Sequence, residues 1–193
     1  NRLSTEYYYR LKGGKWFIAP RFYFLEDTLP LYRGDERVSD FLTRQTGGNV
    51  DLGYAFGRFQ EFRAGYTLSH DRIAVTKGQD SFDPLTGRYS DVHLRWTYEG
   101  QDRALVPRKG IRVTASGAFV VDHPGVNKKY LTAESTFSYA RPFNPKYSLL
   151  TLLGGGISPN ETALSSQFWL GGVGHMDALG RGRVIGHDYY YSS

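Results

Sequence analysis

Apolar and polar residues alternate along most of the chain with a period of two. From Val50 to Phe56, the residues Val, Leu, Tyr and Phe occupy every second position and are separated by Asp, Gly and Ala. Successive side chains of a β-strand point to opposite faces of the sheet, so each such run predicts a strand with one apolar and one polar face. No stretch shows the 3.6-residue period of an amphipathic helix. The chain is therefore predicted to be all-β, with antiparallel strands.

Eight strands are predicted, and a ninth is expected to start near Asp188. They span residues 3–11, 15–28, 38–56, 60–77, 87–99, 110–122, 128–141 and 146–156. Several exceed the roughly 9–11 residues that a tilted strand needs to cross the hydrocarbon core of a bilayer. Strands of soluble proteins usually have only about 5–6 residues. No linker interrupts the alternation, so residues 1–193 are interpreted as a single domain.

The connections between these strands alternate between short and long. Residues 12–15 and 57–59 form tight turns, whereas residues 27–37 and 77–86 are longer and polar. The longest connection spans residues 157–187. Antiparallel strands with short turns at one end and long loops at the other are typical of outer-membrane barrels. The tight turns are then expected on the periplasmic side and the long loops outside the cell.

The composition limits the partners that this chain can have. Its 193 residues include 24 Lys and Arg against 19 Asp and Glu, which gives a net charge of +5, and these charges are scattered singly. A nucleic-acid surface would cluster its basic residues, so no nucleic-acid partner is expected. The chain contains 0 Cys, which excludes disulfides and thiolate metal sites.

Aromatic residues are unusually frequent, at 16% of the chain. Tyr and Trp collect at the two interfaces of a membrane barrel, where one end of the ring is apolar and the other is hydrated. Only 40% of the residues are hydrophobic, which a barrel tolerates because half of each strand faces a polar lumen. A soluble sandwich that buries these rings in its core is the alternative that the pattern leaves open.

Several charged residues within the predicted strands fall on the polar faces. An Arg or Lys that faces the lipid at the bilayer midplane costs about 2–4 kcal/mol, so these side chains are expected to face the lumen. The predicted lumen-facing residues are Arg63, Asp91, Arg95, Arg112 and Glu134.

The residues offer no recognisable catalytic, cofactor or metal site. There is no Gly-x-Ser-x-Gly nucleophile motif, and none of the five His has metal-ligand spacing to another. The histidines are expected to lie in loops or at the barrel rim. Ser69 and His70 are neighbours in a predicted strand, so they point to opposite faces and are not expected to act as a pair.

Two motifs resemble those of a known family. The turn Asp102-Arg103-Ala104-Leu105-Val106-Pro107-Arg108-Lys109-Gly110 resembles the Asp…Pro-x-x-Gly turn of Omp85 superfamily barrels, and Asp102, Pro107 and Gly110 are its matching residues. The segment Gln167-Phe168-Trp169-Leu170-Gly171-Gly172 resembles the Phe-x-Leu-Gly-Gly entry to the large extracellular loop of that family. Gly182 and Gly186 stand where family members also carry glycines.

The phrase from Asn49 to Tyr66 is most similar to the barrels attached to patatin-like outer-membrane phospholipases. The resemblance implies a barrel of about sixteen strands, of which this chain supplies eight or nine. It also implies that the loop 157–187 folds back into the lumen. One departure concerns the Arg at the core of that loop, since Asp177 occupies its place here. Arg181 and Arg183 are the candidates to replace it.

These expectations place the chain in the bacterial outer membrane, in contact with its lipids. The function implied by the resemblance is a translocation or assembly pore, or an anchor for a passenger domain. A periplasmic POTRA-type or patatin-like lipase domain of the same polypeptide is an expected partner. Two alternatives remain open: an outer-membrane phospholipase, and a soluble ligand-binding β-protein.

Overall fold

The computed structural model describes residues 1–33, 36–78, 84–104, 106–144, 146–158, 168–170 and 184–192. Extended strands dominate these residues, as the alternation predicts. The strands are β1 (Arg2–Glu6), β2 (Tyr9–Arg10), β3 (Trp16–Arg33), β4 (Glu36–Phe56), β5 (Gln60–Gly78), β6 (Leu85–Glu99), β7 (Gly110–Asp122), β8 (Tyr130–Pro142), β9 (Ser148–Ile157), β10 (Phe168–Leu170), β11 (Val184–Gly186) and β12 (Asp188–Ser192).

Ten of the strands form one antiparallel sheet. Its order is β1-β3-β4-β5-β6-β7-β8-β9-β12, and β2 pairs with β3 beyond the end of β1. A separate antiparallel pair consists of β10 and β11. The prediction of an all-β, antiparallel fold is therefore confirmed. None of the described residues belongs to a helix long and apolar enough to span a bilayer.

The strand predicted over residues 3–11 is interrupted, because it lies opposite a proline. Glu6 pairs with Arg21 and Tyr9 pairs with Ile18, so β1 and β2 keep one register along β3. Between them, the backbone N–H of Tyr7 donates to the carbonyl of Pro20 at 2.9 Å. Proline has no N–H with which to return that bond, so the ladder is broken for two residues.

The segment 27–37 was predicted as a long loop, and this prediction is wrong. Strands β3 and β4 stay paired as far as Arg33 and Glu36, with one irregularity between Leu31 and Tyr32. Backbone pairing satisfies the N–H and C=O groups even where the side-chain alternation fades, so the hairpin extends beyond the sequence pattern. Similarly, β5 continues to Gly78 and β6 begins at Leu85. The remaining strand ends agree with the predicted ones to within two residues.

The two faces of the sheet differ sharply in character. Direct cross-strand partners form an apolar row on one face, and each of its side chains is 43–55% exposed. This row consists of Val50, Tyr66, Val92, Phe119 and Leu131. A soluble protein rarely leaves so continuous an apolar surface open. We call this side the outward face.

The opposite side of the sheet, which we call the inner face, is polar and largely buried. Asp51 and Asp91 are only 4% and 5% exposed, and Phe17 and Ala19 beside them are 0% exposed. A cavity of ≈ 480 Å³ lies on this face and is lined by residues from β1 and from β3 to β8. The inner face is therefore where the buried charged side chains of the sheet lie.

Candidate functional site

A hydrogen-bonded network on the inner face is centred on His93 in β6. Its Nε2 lies 2.8 Å from Oδ1 of Asp51, and its Nδ1 lies 2.7 Å from Oδ1 of Asp91. The hydroxyl of Thr67 is a further 3.3 Å contact of Nδ1. Asn49 donates to the same Oδ1 of Asp51 at 2.9 Å. Buried carboxylates need such partners to offset the cost of leaving water, and these two carboxylates have them.

A glycine makes the contact between Asp51 and His93 possible. Asp51 and His93 belong to β4 and β6, and both pair directly with Gly65 of the intervening strand β5. A Cβ on Gly65 would lie 2.1 Å from the carboxylate Oδ1 of Asp51 and 2.6 Å from Nε2 of His93. The two side chains therefore join over the backbone of β5 because position 65 has no side chain.

Arg63 connects three strands on the same face. Its guanidinium lies 2.7 Å from Glu6 of β1 and 3.6 Å from Asp51 of β4, and its Nε donates to Glu61 of β5. The guanidinium also stands over the ring of Phe17 at 5.2 Å from the centroid, a cation–π arrangement. Only 17% of the Arg63 side chain is exposed, so the fork of this Arg acts as a cross-brace between strands.

A second hydrogen bond over a glycine joins β8 and β12, which lie at the opposite end of the strand order from β1. The hydroxyl of Tyr189 in β12 donates to Oε1 of Glu134 in β8 at 2.6 Å. Both residues pair with Gly156 of β9, which lies between them. A Cβ on Gly156 would lie 2.5 Å from the Tyr189 ring and 2.7 Å from the ring of Phe168. The ring of Phe168 packs edge-on against Tyr189, with centroids 4.7 Å apart.

The turn between β6 and β7 is closed by the motif residues of the sequence. Oδ1 of Asp102 accepts hydrogen bonds from the backbone N–H groups of Arg108 at 2.9 Å and Lys109 at 3.2 Å. The N–H of Arg108, followed by that of Lys109, holds the pKa of Asp102 below its usual value. Gly110 has a φ of 107°, and a Cβ there would lie 2.2 Å from the carbonyl oxygen of Gly100. Pro107 is buried beneath the turn.

These features match one protein family. The sequence model of the Omp85 superfamily domain matches residues 2–184 of this chain. The chain belongs to the Omp85 superfamily. Membership in this superfamily implies an outer-membrane location.

One solved structure shows the same fold. This Omp85 chain is similar to the crystal structure of BamA from Haemophilus ducreyi lacking POTRA domains 1-3, with a TM-score of 0.70 and 18% sequence identity. The similarity covers 94% of the Omp85 chain and 37% of the BamA chain. The chain thus spans little more than a third of the length of that relative.

The predicted lumen-facing residues of this Omp85 chain all lie on the inner face, but they enter different contacts. Arg63, through Asp51, and Asp91 join the His93 network, and Glu134 bonds to Tyr189. Arg112 forms an exposed ion pair with Glu99 at 3.1 Å. Arg95 is exposed, and it has no ion pair within the part of the chain that the structure describes.

The large loop of the Omp85 chain is described only in part. Phe168 and Leu170 lie in β10, and Gly186 lies in β11 and pairs with Phe168. The other predicted loop residues lie outside the described residues: Gly171, Gly172, Asp177, Arg181, Gly182 and Arg183. Within residues 157–187, the described contacts place the Phe168 ring against the inner face.

His93 lies within the strand predicted over residues 87–99, although the histidines as a group were expected in loops or at the rim. It lies in the middle of β6 because Gly65 leaves room for it beside a carboxylate. Both of its ring nitrogens already contact carboxylates, so neither is available as a general base for the Thr67 hydroxyl. The described residues contain no group of three or more His, Cys, Asp or Glu that could hold a metal ion. The network braces the strands.

Ser69 and His70 are separated, as their adjacent positions predict. The Ser69 hydroxyl is buried on the inner face and donates to Oδ1 of Asp71 at 2.6 Å. His70 is exposed and pairs with Thr46 and Arg88 on the outward face. The sheet backbone lies between the two side chains, so they cannot form a nucleophile–base pair.

Proposed function

We propose that this chain forms part of an outer-membrane barrel that serves as a translocation or assembly pore, or as an anchor, for a passenger polypeptide. The single observation that carries the proposal is the contrast between the two faces of the sheet. An apolar row that is 43–55% exposed lies on one side, and a buried charge network lies on the other. This arrangement suits a wall with lipid outside and a polar lumen inside.

The proposal includes partners of two kinds. Membrane lipids contact the outward face. A periplasmic POTRA-type domain or a patatin-like lipase domain, carried by the same polypeptide, would be held at the membrane by this barrel. The similarity to BamA, of which the chain covers 37%, favours the POTRA-type arrangement. The attached domain would supply the specificity for clients or substrates, and the barrel would supply the passage.

Single cysteines test the assignment of the faces, because the chain contains 0 Cys of its own. The variants Leu94→Cys and Val113→Cys place a thiol on the outward face, and Arg95→Cys and Arg112→Cys place one on the inner face. In membranes that contain the full-length protein, a water-soluble maleimide should label only the inner pair. Fluorophores at the outward pair should be quenched by brominated lipid. The reverse pattern would exclude a membrane barrel with these faces.

Depletion tests the function itself. When the full-length protein is depleted from its native cells, the amount of passenger or client protein that reaches the outer membrane should fall. Supplying the full-length protein again should restore it. An unchanged amount of every outer-membrane and surface protein would contradict a role in assembly or translocation, even if the labelling pattern were as expected.

A further inference from the structure

Four basic side chains lie together on the outward face. They are on β4, β5 and β6, between the apolar row and the strand ends that are remote from the tight turns. Arg44 and Arg72 are direct partners on β4 and β5, and His70 and Arg88 are direct partners on β5 and β6. All four are exposed. Like charges directly opposite each other on a sheet are destabilising, so an anion from outside the chain would relieve this arrangement. We call these four residues the basic rows.

The charge of the basic rows is only partly neutralised by the protein. Arg44 forms an ion pair with Glu26 at 2.5 Å, and Arg88 forms one with Asp122 at 3.2 Å. Within the described part of the chain, Arg72 and His70 make no side-chain hydrogen bond or ion pair. The five donors of the Arg72 guanidinium are therefore available to a ligand on this surface.

An apolar groove of ≈ 670 Å³ lies directly beside the basic rows. This volume is within the range of about 300–1,000 Å³ that is usual for small-molecule sites. Gly48 adds no side chain at its centre, so the groove is open to the outside. Its walls include Leu3, Phe22, Phe24, Val50, Tyr66 and Leu68.

The groove and the basic rows are continuous. Thr46 lines the groove and pairs with both Phe24 and His70. The guanidinium of Arg44 lies 5.9 Å from the centroid of the Phe24 ring. Neighbouring rows on one face are two residues apart, which is about 7 Å along a strand. An apolar chain in the groove would thus end within reach of the Arg72 guanidinium.

We propose that this surface binds one phosphate-bearing lipid, with an acyl chain in the groove and the phosphate held by Arg72 and the other basic rows. Arg matches the geometry of phosphate oxygens with a planar fork of donors. The inference rests on the proposed function, because it requires the outward face to lie in a membrane. Since the tight turns are assigned to the periplasmic side, the site faces the outer leaflet, whose phosphorylated lipid is the lipid A type of glycolipid.

Purified full-length protein in a neutral detergent tests the site by native mass spectrometry with diphosphoryl lipid A. The variant Arg72→Gln should bind about tenfold more weakly, because it loses charge-assisted hydrogen bonds to phosphate. The variant Thr46→Trp keeps the charges and fills the groove, so it should weaken binding as well. Arg141→Gln is the matched control: Arg141 is also exposed on the outward face, but at the opposite end of the sheet. Its affinity should equal that of the wild type.

Two outcomes would overturn the lipid site. The first is an equal affinity of the wild type, Arg72→Gln and Thr46→Trp for lipid A. The second is displacement of the lipid by inorganic phosphate at a similar concentration, which would show a simple anion site without a role for the groove. The cysteine labelling pattern is measured separately. An expected labelling pattern with unchanged lipid affinity would refute the lipid site alone, whereas a reversed pattern would refute the barrel assignment.

Discussion

Asp51 and His93 are hydrogen-bonded at 2.8 Å although their strands are not neighbours. Strand β5 lies between β4 and β6, and adjacent strands are about 4.8 Å apart. The bond therefore crosses a whole strand, which is possible because Gly65 leaves the space above β5 empty. It links three strands at one level of the sheet. This geometry identifies position 65 as one where a single added methyl group should disturb the fold.

The variant Gly65→Ala should destabilise the protein by about 3 kcal/mol, because it separates a buried carboxylate from its partner. A Cβ at this position would overlap both Oδ1 of Asp51 and Nε2 of His93. The measurement is the urea midpoint of the full-length protein folded in lipid vesicles. Gly117→Ala is the control, since a Cβ there meets only the Thr132 carbonyl oxygen at 3.6 Å. A loss as large in the control as in Gly65→Ala would contradict this explanation.

The variant Arg63→Gln should cost about 3 kcal/mol of unfolding free energy, because the carboxylates of Glu6, Glu61 and Asp51 would lose a shared cation. Arg63→Lys should recover only part of this loss, since an ammonium cannot reproduce the fork. Denaturant unfolding of the same vesicles gives the values.

The exposed ion pair of Arg112 and Glu99 provides the comparison for Arg63. These side chains are 46% and 60% exposed, and exposed pairs contribute only about 0–1 kcal/mol. Arg112→Gln should therefore leave the urea midpoint almost unchanged. If Arg112→Gln were as destabilising as Arg63→Gln, burial would not be the cause of the difference.

The variant Tyr189→Phe should lose about 1 kcal/mol, since it removes the hydrogen bond to Glu134 and keeps the ring. Tyr190→Phe is the matched control, because Tyr190 belongs to the same strand and is 90% exposed. Protease sensitivity of β12 in the full-length protein measures the effect locally. Equal sensitivity of the two variants would mean that the bond across Gly156 does not fasten β12.

The Asp102 turn should make a pH-dependent contribution to stability. Because its pKa is lowered in the folded state, the contribution is fully present above the ordinary Asp pKa of about 4. It is lost as the pH falls through the folded-state pKa. The wild type should be more stable than Asp102→Asn at neutral pH, and the two should converge in acid. Thermal unfolding at a series of pH values checks this prediction.

A second Asp variant controls for a general effect of removing a negative charge. Asp188→Asn changes an exposed residue that makes no side-chain hydrogen bond within the described residues. Its stability should follow that of the wild type at every pH. A difference that persists unchanged into acid for Asp102→Asn would contradict a role for the ionised carboxylate.

The strands and their faces could be predicted from the sequence because the period of two is a local property. Leu94 and Arg95 are adjacent, and this alone determines that they lie on opposite faces. The turn of Asp102 and Gly110 was likewise recognisable as a motif. The paired extension of β3 and β4 was not predicted, since Arg33 and Glu36 carry no apolar alternation and are joined through their backbones.

The centre of the network could not be predicted from local patterns. His93, Gly65 and Asp51 are brought together by the register of three strands, which spacing along the chain does not determine. One signal was present: Gly65 interrupts the polar positions of an otherwise regular strand. A glycine on a polar face indicates a close approach by a neighbouring group, although it does not identify that group.

The glycines under these bonds also affect how tightly the sheet can bend. When a sheet curls, the side chains on its concave side are pushed together, whereas those on its convex side spread apart. Gly65 and Gly156 remove a Cβ from the crowded side at the places where a bond already draws the flanking strands together. Glycine kinks are a known means of setting sheet curvature. The curvature of this sheet is thus encoded in part by the places where its inner face carries no side chain.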